Sequence, residues 1–401
     1  MTRSPHVRTA PCRFPITSLR AASAVLSLVA LGVPAAAQVV AGATQSAPNG
    51  PVELLGPGSV TVRSAFGGFI LGYDVDQNGK LGVLAEAVTL EDGTHDVAVE
   101  TFDQRTGQIV DVVAQQEASK NDFVALGVAG THTGLVEFEH VTDLFVDQRV
   151  YLVMNPLASN AFATHWTPPL TTVDTIAGVT RTQGVAETAF LAAHNSGGGS
   201  MTVFASNVAA NTFGPSIPLT HPNFQPNHSP VIALDEANHR AILAALGNNP
   251  FGPPTLGKVD LGTGATTTFT GIGIGYVNGL AVDSATGVAC TATEIDFRIE
   301  IYDLAAQTGF TVVLPNALSQ AHSGKDVQVD TIHKLFFVGQ PISSTAPGSS
   351  IHVFDEQGHL VKSINGLKLP ASPGLIALSP HFRTGFVIKA PDLNELQTFT
   401  Y

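Results

Sequence analysis

The chain has 401 residues, of which 19 are basic and 32 are acidic, and its formal charge of −13 argues against nucleic acid and anionic membranes as partners. Charged residues make up only 13% of the chain, against roughly a quarter in ordinary globular proteins. Glycine, proline and small or β-branched residues take their place, which favours many short strands and tight turns over helices.

The first 37 residues have the pattern of a secretory signal peptide. Four arginines precede an apolar stretch at residues 21–33, and Ala35, Ala36 and Ala37 form a small-residue cleavage site. The apolar stretch is short for a membrane span, although an uncleaved signal anchor is the alternative. We therefore predict a secreted or periplasmic protein that is not inserted in a membrane after cleavage, and we expect it to be a monomer.

Removal of the leader would leave 15 basic and 32 acidic residues, a formal charge of −17. It would also remove Cys12, so that Cys290 is left without a disulfide partner and the chain must depend on a large core. Cys290 lies in the apolar segment VACTA, which indicates a buried, unreactive thiol. Residues 38–51 are polar and rich in small residues, as in a disordered spacer, and residues 52–401 form the predicted domain.

Strand patterns of the first half of this domain have no strict spacing. VELLGPGSVTV at Val52–Val62 reads as one strand, and VAVETFDQRTGQIVDVV reads as two strands joined by a turn at Asp103. The segment FVDQRVYLV resembles a turn at Asp147 into a second strand. VAETAFLAAHNSGGGSMTVFAS reads as two strands joined by a flexible hairpin at residues 194–200.

The second half repeats one unit at nearly constant spacing. A short aliphatic strand ends at Asp235, Asp283, Asp330 and Ser379, with steps of 48, 47 and 49 residues. Each of these strands is followed by a second apolar run. After the first three strands, a third run that ends in an aspartate and a fourth run come next. Four antiparallel strands in about 47 residues predict one blade of a β-propeller.

The chain ends within the third strand of its last blade, so a fourth strand must come from elsewhere. The segment Val52–Val62 is available for this pairing, which would join the first and last blades and remove an open edge. We therefore predict an all-β fold, a single β-propeller of about seven four-stranded blades, with six as the alternative, closed by an N-terminal strand.

The repeats resemble those of the YVTN and NHL classes of β-propeller, and more distantly those of the SMP-30 and gluconolactonase group. The resemblance lies in the strands GLAVD and VIALD and in the turns VFD and IYD. It implies a propeller fold over most of residues 52–401. Such propellers host ligand binding, protein docking, lactone hydrolysis and lyase chemistry, so the resemblance leaves the function open.

The segment DVDQNG is a candidate calcium loop. Asp74, Asp76 and Asn78 alternate, so that their oxygens could converge on one cation. An EF-hand would need a glutamate at position 85, where Ala85 stands, and the later acidic ligand of an FG-GAP propeller loop is replaced by Gly82. The alternative, which we favour, is a hairpin with a type I′ turn at the Asn-Gly pair.

A second set of candidate residues lies at the starts of the predicted innermost strands. These residues are His228, Asn278, His322, Lys325 and Asp326. Polar groups at these positions would converge at one mouth of the axial channel, where they could bind a ligand or a divalent cation, and a histidine beside a carboxylate could act as a general base. The alternative is that the histidines belong to ordinary turns at the strand entries.

The resemblance to the SMP-30 group adds a partial ligand set. That group uses an acidic residue and Asn-type ligands from separate blades. Asn278 and Asp326 match in type, whereas Glu187 is only a loose candidate for a third ligand. The set is therefore incomplete.

These patterns favour a binding or interaction module for a small molecule or a protein, with no assigned catalysis. The alternative is an enzyme, either a metal-dependent hydrolase of the lactonase or esterase type or a lyase, with its site at the channel mouth. Ca²⁺ or another divalent cation is the cofactor that the candidate residues suggest. The chain has no GxSxG, HExxH, paired CxxC or GxxxxGK[ST] motif.

Overall fold

Short antiparallel strands make up the computed structural model of the chain. It describes residues 56–75, 80–89, 95–118, 124–129, 133–141, 147–154, 162–166, 188–195, 200–207, 212–220, 231–245, 255–270, 277–293, 297–315, 326–340, 349–369, 376–391 and 393–401. Within these ranges the single helix is a short 3₁₀ helix at Glu236–Asn238. The prediction of an all-β fold is therefore confirmed. No helix in the described ranges is long and apolar enough to cross a bilayer.

The described strands form seven sheets, numbered here in chain order from the sheet that begins with β2, so that the sheet of β25, β26, β27 and β1 is sheet 7. Sheet 1 contains β2 (Phe69–Val75), β3 (Leu81–Thr89), β4 (His95–Asp103) and β5 (Ile109–Ala118), sheet 2 contains β6 (Val124–Ala129), β7 (Thr133–Val141), β8 (Asp147–Met154) and β9 (Phe162–Trp166), and sheet 3 contains β10 (Thr188–Asn195), β11 (Ser200–Asn207) and β12 (Thr212–Thr220). Sheet 4 contains β13 (Val231–Asp235), β14 (Arg240–Ala245), β15 (Thr255–Asp260) and β16 (Thr266–Thr270), and sheet 5 contains β17 (Val277–Asp283), β18 (Val288–Thr293), β19 (Arg298–Asp303) and β20 (Thr308–Val313). Sheet 6 contains β21 (Asp326–Asp330), β22 (Leu335–Gln340), β23 (Ser349–Asp355) and β24 (Leu360–Leu367), and sheet 7 contains β25 (Ile376–Ser379), β26 (Thr384–Ile388), β27 (Glu395–Thr400) and β1 (Gly56–Arg63).

Sheets 1 to 6 are simple antiparallel meanders. Each of their strands pairs with the next strand along the chain, as expected when short turns follow alternating apolar runs. One detail of the predicted first half is wrong, because Asp147 begins the third strand of sheet 2 and not the second. The predicted hairpin at residues 194–200 joins β10 to β11, where Asn195 pairs with Ser200.

Sheet 7 takes its fourth strand from the N-terminal side of the domain. Strand β1 pairs antiparallel with β27, with Val62 opposite Leu396. The Thr398 hydroxyl donates a hydrogen bond of 2.7 Å to the Val60 carbonyl. This pairing matches the strand predicted at Val52–Val62 and covers the edge that β27 would otherwise expose.

The first strands of sheets 4, 5, 6, 7, 1 and 2 lie side by side in this order. At their ends, the Ser284 hydroxyl after β17 donates to the Leu234 carbonyl in β13 at 3.4 Å. At their starts, the Ile376 amide of β25 donates to the carboxylate of Asp326 in β21 at 2.5 Å. Further contacts join β17 to β21, β25 to β2 and β2 to β6. We call the edge where the first strands begin the head edge and the opposite edge the turn edge.

The strand-ending aspartates cap the loops of the turn edge. Asp330 Oδ1 accepts the amides of Ile332 and His333 at 2.9 and 3.0 Å, and Asp303 Oδ1 accepts the amides of Ala305 and Ala306 at 2.8 and 2.9 Å. Asp103, Asp260, Asp283 and Asp355 accept loop amides in the same way. These carboxylates act as turn caps, which is a structural role.

In sheets 4 to 7, a left-handed residue closes the turn after the first strand. It stands four positions after the strand-ending residue, at His239, Gly287, Lys334 and Arg383, with φ of 49, 74, 56 and 50°. The backbone conformation of the turn is thus conserved between repeats, although glycine is used at only one of these four positions.

The core lies between adjacent sheets. Phe102 of sheet 1 packs against Phe386 of sheet 7 with ring centroids 5.5 Å apart, and Val62 and Leu396 belong to the same cluster. Cys290 of sheet 5 is buried in a second cluster with aromatic residues of sheet 6. Burial raises the pKa of the Cys290 thiol well above its usual value, so the prediction of a buried, unreactive thiol is supported.

Candidate functional site

Asp326, the first residue of β21, joins two sheets at the head edge. Its Oδ2 accepts a hydrogen bond of 2.5 Å from the amide of Ile376, the first residue of β25. The Val327 amide and the Gln328 side chain also donate to the carboxyl group. Asp326 remains partly exposed, so it binds neighbouring strands and still presents surface at the head edge.

Strand β17 of sheet 5 lies directly against Asp326 from the other side. A Cβ atom at Gly279 would lie 2.6 Å from the Val327 nitrogen and 2.9 Å from the Asp326 Cα. Only glycine permits this approach. Asn278, the residue before Gly279, is partly buried at the same end of β17. Sheets 5, 6 and 7 therefore meet around Asp326.

Burial raises the pKa of Asp326 from an ordinary value of 3.8 to about 7, against the opposing effect of its hydrogen-bond donors. The group is therefore divided between its neutral and ionised forms near neutral pH. The Asp326 charge also acts on Tyr73 in sheet 1. The pKa of Tyr73 is raised, with burial as the largest cause and the Asp326 charge as the second. The Tyr73 hydroxyl accepts a hydrogen bond of 3.2 Å from the Ile388 amide.

Two of the five predicted channel-mouth residues lie in the described ranges, and they lie on adjacent strands. Asn278 is in β17 and Asp326 is in β21, and the contact at Gly279 links the two strands. His228, His322 and Lys325 fall outside the described residues, as does Glu187.

The candidate calcium loop is described only at its two ends. Asp74 lies in β2, where its Oδ1 accepts the Val75 amide at 2.8 Å, and Asp76 and Asn78 fall outside the described residues. The loop joins two antiparallel strands, with Val75 opposite Gly82, as a hairpin would. A Cβ at Gly82 would lie 2.2 Å from the Phe102 ring, so packing accounts for this glycine. Within the described part of the chain, no group of three His, Cys, Asp or Glu residues is arranged to hold a metal ion.

Buried polar side chains in the second and third strands form a feature that the sequence analysis did not single out. In sheet 6, His352 Nε2 contacts Gln340 Oε1 at 2.7 Å and its Nδ1 contacts Ser363 Oγ at 2.8 Å. Burial lowers the pKa of His352 to about 4, so its imidazole is neutral. In sheet 5, the Thr291 hydroxyl donates to Glu300 at 3.2 Å.

A third example lies in sheet 1, where Glu86 and Glu100 are fully buried together. The sequence contains a signal for these positions. Glu100, Glu300 and His352 each stand three residues before the aspartate that ends a third strand, in VETFD, IEIYD and IHVFD. A polar residue between apolar neighbours in a strand predicts a buried hydrogen bond.

A comparison with known protein families finds no family model that matches the chain, and a comparison with curated proteins finds no significant relative.

Proposed function

We propose that this protein is a secreted or periplasmic β-propeller of seven blades that serves as a binding module, with its ligand at the head edge around Asp326. Six described sheets have four strands and one has three, which supports a count of seven. The pairing of β1 with β27 supports closure of the ring. The signal-peptide pattern of residues 1–37 in the sequence supports export.

The partial exposure of residue Asp326 at the head edge is the observation that carries the binding site. The turn edge uses its aspartates to cap loop amides, whereas Asp326 lies where strands of three sheets meet. Polar groups at the heads of innermost strands are common ligand contacts in propellers. The cluster as described contains no nucleophile placed beside a base at Asp326, so a binding role requires fewer assumptions than catalysis.

The chemistry of this group favours a ligand that is cationic or rich in hydrogen-bond donors. A buried carboxyl group whose pKa is about 7 becomes ionised when a cation binds, because the opposite charge offsets the cost of desolvation. Binding of such a ligand would therefore release protons near neutral pH. The net charge of the chain favours the same class of ligand.

A thermal-shift screen tests this proposal. The probes are Ca²⁺, Mg²⁺, Zn²⁺, a diamine and a short lysine-rich peptide, each added to the wild-type protein, to Asp326→Asn and to Asp303→Asn. Asp303 is a matched control because it is an aspartate of the same domain that caps a loop at the turn edge.

We expect at least one probe to raise the Tm of the wild type and of Asp303→Asn, with the shift lost in Asp326→Asn. Equal Tm shifts in all three proteins would show that the ligand does not bind at Asp326. The absence of any shift with every probe would refute the ligand class.

A further inference from the structure

Glu86 of β3 and Glu100 of β4 form a buried carboxyl pair in sheet 1. Both residues are 0% exposed, and their side chains are hydrogen-bonded to each other. Glu86 stands opposite Ala98 and Glu100 stands opposite Leu84, so the two side chains are diagonal neighbours on one face of the sheet. Two carboxylates cannot hydrogen-bond without a proton between them. The pair therefore holds one proton in common.

The chain between β1 and β2, residues 64–68, closes over this pair. The Ala65 amide donates to both oxygens of Glu100 at 3.1 and 3.0 Å. The amides of Phe66 and Gly68 donate to the two oxygens of Glu86 at 2.9 and 2.7 Å. A Cβ at Gly68 would lie 1.9 Å from the Ala87 carbonyl oxygen, which requires glycine at this close approach. We call residues 64–68 the junction loop.

The junction loop links the first sheet to the last one. It begins after β1, which belongs to sheet 7, and ends before β2, which belongs to sheet 1. The Ser64 amide donates to the Asn394 carbonyl at 3.3 Å, and the Ile70 amide donates to the Leu393 carbonyl at 2.8 Å. Phe66 in the loop and Phe69 just after it are 49% and 60% exposed. A change in the loop would therefore alter the contact between sheets 1 and 7. It would also alter the exposed surface that Phe66 and Phe69 form at the head edge.

The charged residues near the pair do not supply a counter-ion. Arg63, just before the junction loop, pairs with Glu395 at 2.6 Å, and Lys389 pairs with the same carboxylate. Strand β6, which contacts β2 and β3, has no charged residue. The remaining charged or titratable positions of the strands packed against the pair are Tyr73 and Asp74 in β2, His95, Asp96 and Asp103 in β4, and Asp111 and Glu117 in β5.

We propose that the Glu86–Glu100 pair is a proton-operated latch on the junction loop. While the pair holds the shared proton, the neutral and the ionised carboxyl group are hydrogen-bonded to each other and accept hydrogen bonds from the loop amides. Transfer of this proton to hydroxide leaves two carboxylates in contact. Their repulsion, with no described cation to offset it, then opens the loop. This inference does not depend on binding at Asp326.

The pKa of Glu100 places this transition above neutral pH. Burial is the largest cause that raises the pKa of Glu100 from 4.5 to about 8. The hydrogen bond that protonated Glu100 donates to Glu86 raises the pKa by more than the Ala65 amide lowers it. The latch is therefore closed at pH 7 and open at pH 9.5.

Limited proteolysis tests the latch, because chymotrypsin can cut after Phe66 only when the junction loop leaves the sheet. The full chain is digested briefly at pH 7 and at pH 9.5, and the cut after Phe66 is quantified by mass spectrometry relative to loss of the intact chain. The variants are Glu100→Gln and Glu86→Gln, each of which replaces the shared proton by an amide donor that does not titrate in this range. Glu300→Gln is the control, since Glu300 occupies the same register position in sheet 5 and accepts a hydrogen bond from the Thr291 hydroxyl.

We expect the cut after Phe66 to increase about tenfold from pH 7 to pH 9.5 in the wild type and in Glu300→Gln, and to remain at its pH 7 level in the two pair variants. A wild-type loop that stays uncut at pH 9.5 would overturn the proposal, and this result needs no variant to fold. An equal alkaline increase in all four proteins would overturn it as well.

Discussion

Gly279 in β17 lies so close to Asp326 in β21 that a Cβ atom would come within 2.9 Å of the Asp326 Cα. We expect Gly279→Ala to lower the free energy of unfolding by about 1–3 kcal/mol, because sheets 5 and 6 would have to separate at the head edge. Urea unfolding measures the change. Gly339→Ala is the control, since its Cβ would lie 3.4 Å from Ile376 Cδ1, and equal losses in the two variants would contradict the close contact.

The Asp326 carboxyl group should make stability depend on pH. Because burial raises its folded-state pKa from 3.8 to about 7, its contribution is fully present below about pH 4 and is lost as the pH rises through 7. Asp326→Asn lacks this titration, so its stability relative to wild type should increase by about 2–3 kcal/mol from pH 5 to pH 8. Urea unfolding at both values measures this. A difference that is constant with pH would contradict the raised pKa.

The left-handed turn positions offer a stabilising change. Lys334 has a φ of 56° at the position that Gly287 occupies in the preceding repeat. We expect Lys334→Gly to raise the free energy of unfolding by about 0.5–1 kcal/mol and Gly287→Ala to lower it by about 1 kcal/mol. Thermal unfolding followed by circular dichroism measures both. Changes of the same sign would show that side-chain contacts outweigh the backbone conformation at these turns.

Strand β1 should be essential to the domain. A chain that begins at Ser64 lacks β1 and exposes the edge of β27, and we expect it to aggregate or to lose more than about 3 kcal/mol of stability. A chain that begins at Pro51 keeps β1 and is the control. Size-exclusion chromatography and urea unfolding compare the two, and equal behaviour would contradict the pairing of β1 with β27.

The Cys290 thiol should be unreactive in the folded protein. We expect a chain that begins at Gln38 to react with a thiol reagent only after denaturant is added, because Cys290 is 0% exposed and burial raises its pKa. The reagent's absorbance, read before and after denaturation, measures this. Rapid reaction of the native protein would contradict the packing of Cys290 between sheets 5 and 6.

The sequence by itself determined the repeating unit. Because side chains alternate along a strand and an aspartate caps the loop that follows it, the spacing of Asp235, Asp283 and Asp330 predicted the strand order within each sheet. The sequence also predicted that an N-terminal strand pairs with β27, because an unpaired strand edge is unfavourable. The repeated strand order depends on residues that are close in sequence, and the pairing of β1 with β27 depends on one unpaired strand edge. The sequence pattern indicates both.

The tertiary structure decided which polar residues meet. Asp326 and Ile376 are 50 residues apart. The sequence pattern that marks Glu100 gives no sign that Glu86 lies beside it or that the junction loop covers both residues. The raised pKa values of Asp326 and Glu100 arise mainly from desolvation. Desolvation depends on how neighbouring sheets pack, and the local pattern of a repeat contains no information about that.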